Sequence, residues 1–242
     1  GKIEEAIALY EQSLALSQQI GNVQAQAQTL HNLGFLKANS GKIEQAIAFY
    51  EQSLALSQQI GDVQLKARTL NNLGEIKVYR GEIEEAIALF QQSLAITEKI
   101  GDVQTKATTL NNLGFLKANS GKIEQAIAFY EQSLALSQQI GDVQLKARTL
   151  NNLGEIKVYR GEIEEAIAFY QKSLAITEQI GDVQTKAMTL WWLGHIAEQQ
   201  GNYNQALDYL QPALEILQRI QSPDAEKVRQ MVARVQNLIR NS

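Results

Sequence analysis

Apolar residues recur at intervals of three and four along almost the whole chain. In residues 62–79 they are Val63, Ala67, Leu70, Leu73 and Ile76; in the next stretch they are Ile83, Ala86, Ile87, Phe90, Leu94 and Ile100. That spacing gathers them on one face of a helix with 3.6 residues per turn. No stretch alternates with period two, so no strand is expected. The pattern predicts helices over residues 2–19, 22–39, 42–59, 62–79 and 82–99, and onward in steps of twenty.

The polar punctuation agrees with this register. Eleven of the sixteen glycines fall every twenty residues, from Gly1 to Gly201. They read as helix ends, where glycine enters the left-handed region without a Cβ penalty. The other five, Gly34, Gly74, Gly114, Gly154 and Gly194, fall in mid-helix. Glycine there costs about 1 kcal/mol against alanine, which points to a close neighbouring helix. Asp62 follows its glycine as an N-cap. Glu82, Glu84 and Glu85 occupy a first turn, Arg80 and Lys99 last turns, as the helix dipole favours.

Forty residues separate successive copies, which begin at Gly21, Gly61, Gly101, Gly141 and Gly181. A second period of eighty lies on top, since residues Asn32–Ala88 and Asn112–Ala168 are identical. A pair of helices this short cannot bury both its faces, so stacked neighbours must supply the missing partner.

The repeat changes what composition implies. A length of 242 residues would suit one or two domains; repetition makes it one array. The net charge of −4 argues against nucleic acid as a general partner. The absence of cysteine excludes disulfides and thiolate chemistry and fits a cytoplasmic location. No run approaches the roughly 18 apolar residues of a membrane span, and no signal peptide opens the chain. His31 and His195 stand alone in their copies, and no metal-spaced cluster, nucleophile elbow or phosphate loop occurs. The chain is therefore read as non-enzymatic, with no cofactor.

Leu73-Gly74, Gly81, Ala86 and Phe90 have the spacing of the tetratricopeptide repeat, which the chain resembles over residues 1 to about 220. The forty-residue period and the recurrent Gly-Asp and Asn-Leu-Gly are similar to the longer variant seen in kinesin light chains, Pins-like adaptors and bacterial regulators. One departure is Lys37, Lys77, Lys117 and Lys157, with Ala197 in the last copy, where that family usually has tyrosine. Their stems are expected along the helix surface, with the ammonium in water.

The resemblance implies an all-α, right-handed α-solenoid of antiparallel helix pairs. It divides the chain into a half-repeat over 1–20, five repeats over 21–220 and a capping helix over 221–242. It also implies that first helices line a concave face holding an extended peptide or protein. Carried onto this register, the groove positions include Phe35, Arg68, Asn71, Glu75, Tyr79, Asn111, Phe115, Arg148, Asn151, Glu155, Tyr159, Trp191 and His195. Asparagine at 71, 111 and 151 can hold a peptide backbone through its amide or satisfy a neighbouring helix. Phe35 and Phe115 either anchor a ligand or pack on the next repeat. Trp191 and Trp192 either bind or pack the end of the array. The alternative reading is an engineered or recently amplified structural array with no ligand, which the long identical segments favour.

Both ends depart from the repeat. Residues 1–20 form a second helix without its partner, so the chain is expected to begin inside a longer parent and to self-associate there. Pro212 is expected to bend or loosen its helix near Asp208. Ser222-Pro223-Asp224 reads as a helix start, followed by an apolar stripe of Val228, Met231, Val232, Val235, Leu238 and Ile239.

Overall fold

A computed structural model describes residues 2–241. Among these are twelve α-helices and no strand, joined by short turns. The helices are α1 (Lys2–Gln19), α2 (Val23–Asn39), α3 (Ile43–Ile60), α4 (Val63–Tyr79), α5 (Ile83–Ile100) and α6 (Val103–Asn119), then α7 (Ile123–Ile140), α8 (Val143–Tyr159), α9 (Ile163–Ile180), α10 (Val183–Gln199), α11 (Tyr203–Arg219) and α12 (Ala225–Arg240). The chain forms two compact units, Gly1–Leu116 and Lys117–Ser242. The first packs α2 on α3 and α4 on α5 most extensively; the second does the same with α8 on α9 and α10 on α11.

Helix ends follow the predicted punctuation. Gly81, at a φ of 76°, needs the left-handed conformation. It closes a Schellman turn in which Glu82 N–H donates to the Lys77 carbonyl at 2.9 Å and Gly81 N–H to that of Val78 at 3.0 Å. At the start of α4 the Asp62 Oδ1 accepts the Leu65 N–H at 2.9 Å; Asp142 and Asp182 repeat the bond. Each such cap is worth about 1 kcal/mol.

Apolar and small polar groups share the interior. Ala86 and Phe90 are fully buried, as are Ala46 and Tyr50. Between paired helices, Ser53 Oγ donates to the Ala27 carbonyl at 2.8 Å, and Ser93 Oγ to that of Ala67 at 2.9 Å. These hydroxyls cross to the paired helix without leaving an orphaned buried donor.

Three local expectations change. Three of the lysine heads are not left to water: Lys77 pairs with Glu82 and, at 2.6 Å, with Glu85. Lys157 repeats this with Glu162 and Glu165, and Lys37 reaches Glu11 at 3.4 Å. The glutamates at the start of the following helix thus serve the preceding lysine as well as the dipole. The helix α11 runs unbroken through Pro212. Pro212 and Asp208 are both exposed, so water can take the freed carbonyl. Finally, α12 starts at Ala225 rather than at Ser222. Ser222 instead holds a turn, its Oγ accepting from Asp224 N–H at 3.2 Å and its carbonyl from Ala225 N–H at 3.1 Å. Of the stripe, Val228, Met231, Val232 and Val235 are buried, whereas Leu238 is exposed.

Candidate functional site

The helical register that buries Leu70 and Leu73 turns residues 68, 71, 72 and 75 of α4 toward the neighbouring first helices. In the first unit this face opens into a cleft of about 440 Å³. His31, Asn32 and Phe35 of α2 line it, with Gln64, Arg68, Asn71 and Asn72 of α4, and with Asp102 and Gln104, Thr105 and Thr108 of α6. Phe35, Arg68 and Asn71 of the predicted groove set are thus brought together.

At the cleft floor His31 is buried. Its Nδ1 lies 3.0 Å from Thr69 Oγ1, and that hydroxyl already donates to the Leu65 carbonyl at 2.8 Å. Nδ1 must therefore carry the proton, leaving Nε2 to accept from Arg68 Nη2 at 3.4 Å. Burial, reinforced by the Arg68 charge, pulls the imidazole down to about 4, so it is neutral at pH 7. The Tyr50 ring meets it edge-on at 5.5 Å.

The asparagine column uses its oxygens inside the protein. Asn71 is buried, and its Oδ1 lies 3.0 Å from Thr109 Oγ1; Asn151 stands in the same relation to Thr189. His31 on Thr69 is the first copy's version of this contact. Asn71 Nδ2 donates to Glu75 Oε1 at 3.2 Å, and Asn112 Nδ2 donates to the same oxygen at 2.8 Å. The structure thus engages these amides in the second of the two uses open to them. Asn111 is likewise buried.

The exposed members are the aromatic and charged ones. Phe35 is 52% exposed and Tyr79 78%. Phe115 and Tyr159 are exposed as well, as are Arg68, Glu75, Arg148 and Glu155. Arg68 meets no carboxylate within ion-pair distance among the described residues.

In the second unit Trp191 and Trp192 are each half-buried. Trp191 Nε1 donates to Met231 Sδ at 2.9 Å, which ties α10 to α12. Trp192 lies near-parallel to Tyr170, with centroids 6.3 Å apart, and to Trp191 at 6.4 Å. His195 stands edge-on to Trp192 at 5.9 Å, its Nδ1 4.0 Å from Glu198 Oε2. Glu198 itself is held by Arg234 through two bonds of 2.6 and 2.8 Å. End-packing therefore occupies much of the tryptophan surface.

Sequence reasoning passed over Asn32, Gln64, Asn72, Asp102 and Gln104 of the cleft wall. Asp102 was visible only as a cap. Its Oδ1 does accept the Thr105 N–H at 3.0 Å, but the same turn also walls the cleft. Among the described residues no cluster could hold a metal ion, and no helix is long and apolar enough to cross a membrane.

Comparison with known proteins agrees with the helical-repeat fold. No curated protein sequence matches the chain. Among solved structures, the chain is similar to BtubC (BKLC) from P. vanneervenii, with a TM-score of 0.71 and 21% identity over 91% of this chain and 93% of that one. It is also similar to a Rap protein complexed with competence and sporulation factor, with a TM-score of 0.74 and 16% identity over 90% of this chain and 64% of that one. A chain of the APC/C hetero-tetramer Cut9-Hcn1 gives a TM-score of 0.75 and 20% identity over 97% of this chain but 40% of the other. At these identities the likeness is one of fold. A family model described as tetratricopeptide repeat matches residues 1–59, 25–99 and 105–179, and a second of the same description matches 188–224. The chain belongs to the tetratricopeptide repeat family.

Proposed function

We propose that the chain is a protein-interaction scaffold that holds an extended peptide or protein segment against its first helices. The observation that carries this reading is the cleft of about 440 Å³ in the first unit. An exposed aromatic, Phe35, and a cation without a carboxylate partner, Arg68, share its wall. Exposed aromatic and arginine side chains are the residue types that dominate binding energy at interfaces. The Rap structure contains a bound factor, by its own description, which lends the same fold a precedent for binding.

In this reading residues 21–220 form the binding array, flanked by the half-repeat and the cap. It acts in the cytoplasm by binding alone. Its partners are proteins or peptides rather than nucleic acid or membrane. A second copy can compete for α1, where Leu9 and Leu16 are exposed. The test is selection from a random peptide library. The wild type should enrich a family of related sequences, and Phe35→Ala and Arg68→Ala should each weaken their binding about tenfold or more. Failure to enrich any peptide would favour the second reading, a structural array without a ligand, for which the identical segments Asn32–Ala88 and Asn112–Ala168 speak.

A further inference from the structure

The eighty-residue period provides an internal control for every groove position. Trp192 stands where all four earlier copies have asparagine: Asn32, Asn72, Asn112 and Asn152. In the first unit this position donates to a carboxylate, to a phenol and, at 3.3 Å, from Asn112 Nδ2 to Asn71 Oδ1. Asn112 Nδ2 donates to Glu75 Oε1 at 2.8 Å, across from α6 to α4. Asn72 Nδ2 donates to the Tyr50 hydroxyl at 3.2 Å, from α4 to α3. By the register of the repeat, the corresponding acceptors in the second unit are Glu155 on α8 and Tyr170 on α9, and Trp192 on α10 stacks on Tyr170.

Trp192 has one N–H in place of the amide's two and uses it for neither bond. The Tyr170 hydroxyl is buried with no hydrogen-bond partner among the described residues, and Tyr170 is fully buried. Glu155 has no donor or cation among the described residues, although solvent reaches it. Its crowded position pushes the carboxyl above the ordinary range by desolvation. Nearby, His195 Nδ1 is also buried without a hydrogen bond. The second unit's other carboxylate here, Glu198, is already neutralised by Arg234. A native fold leaves few buried polar groups unsatisfied, and such exceptions gather at functional sites.

We propose that Glu155, whose first-unit counterpart Glu75 is served by the asparagine that Trp192 replaces, receives a basic side chain, an arginine or lysine, from the bound partner, with the half-buried Trp192 indole as the aromatic neighbour of that side chain. A guanidinium restores the donor that the asparagine-to-tryptophan exchange removed, and it supplies the charge the carboxylate lacks. Its flat, weakly hydrated face suits an aromatic wall. The equivalent carboxylate in the first unit, Glu75, already accepts two amides, so it offers a weaker place for a cation. The inference rests on the scaffold reading and adds the chemistry of one partner residue.

The test uses the full chain and a random peptide library. Selected peptides should carry arginine or lysine at one fixed position, and Glu155→Gln should abolish that preference. Trp192→Asn, which restores the residue of the other copies, should abolish it too. For one selected peptide, replacing the arginine by neutral, isosteric citrulline should weaken binding to the wild type about tenfold and leave binding to Glu155→Gln unchanged. Trp191 and Trp192 are the only tryptophans, so their fluorescence reports this corner directly. Peptides that bind without a basic preference, or a preference that survives Glu155→Gln, would overturn the proposal and leave the scaffold reading standing. No peptide binding at all would overturn both.

Discussion

A Cβ placed on Gly74 would lie 2.6 Å from Cε1 of Phe90. The same place in other copies meets Tyr50, Tyr170 or Leu210 at under 3 Å. The mid-helix glycine is therefore what lets the first helix of a pair lie against the ring of the second. Phe90 is fully buried and cannot swing into solvent. Gly74→Ala should destabilise by about 1–3 kcal/mol, the usual range for overpacking, and Gly74→Leu by more. Phe90→Ala opens a cavity, so the double variant Gly74→Ala/Phe90→Ala should be more stable than the sum of the single losses predicts. Chemical denaturation of the four proteins measures the coupling; simple additivity would contradict this packing.

Acid should loosen the first unit through His31. Its folded value of about 4 lies below the ordinary 6.5, so between these values the unfolded chain binds the extra proton. Stability from this group is complete above pH 6.5 and falls as the pH drops toward 4. With those two values the loss at pH 5 is roughly 2 kcal/mol. His31→Asn, which matches Asn71 in the next copy, should remove it. The melting-temperature difference between variant and wild type should be small at pH 7.5 and favour the variant at pH 5. A difference independent of pH would rule out a buried neutral histidine.

The tyrosines on second helices should answer differently to loss of their hydroxyl. The Tyr50 hydroxyl accepts from Asn72, whereas that of Tyr170 has no partner among the described residues. Tyr50→Phe should cost about 0.5–1.5 kcal/mol, the net worth of one hydrogen bond, and Tyr170→Phe should be neutral or stabilising. Phe90, which fills the same place in a third copy, shows that the site accepts the ring alone. Equal losses in thermal melts of the two variants would contradict the assignment.

The helix α1 should be the least protected. Leu9 is 66% exposed and Leu16 63%, whereas Phe49 and Leu56 in the equivalent positions of α3 are half-buried. Each large apolar side chain left in water forgoes roughly 1.5–3 kcal/mol of burial. Hydrogen exchange on a dilute, monomeric sample should show α1 opening before α3, and Leu9→Lys/Leu16→Lys should reduce any self-association seen on concentration. Equal protection of the two helices would show that the exposed face is not a weakness.

The fold was legible because it depends on local rules repeated many times. Glycine at 81, aspartate at 62 and the apolar spacing of α4 and α5 each have one good solution, and the copies vote together. The site was less legible because its residues face choices that only tertiary contact decides. Asn71 could reach a ligand or Thr109, and nothing in its own helix distinguishes the two. The long stem of Lys77 suits a place along the helix surface with its ammonium in water; the turn at Gly81 brings Glu82 and Glu85 to that ammonium instead. Ser222 and Asp224 both suit a helix start, and the turn bonds around Ser222 moved the start to Ala225. The missing donors to Glu155 and to the Tyr170 hydroxyl emerge only when Trp192 is compared with the contacts its asparagine counterparts make.

The central claim, that the first-helix face is the binding surface, is tested most directly by site-specific cross-linking. The chain has no cysteine, so a single one can be introduced without interference. Thr108→Cys places a photo-reactive group at the cleft, and Gln92→Cys places it on the exposed side of a second helix. With a selected peptide bound, the account predicts an efficient cross-link from residue 108 and none from residue 92. A cross-link from residue 92 with none from 108 would place the partner on the opposite face and contradict the account.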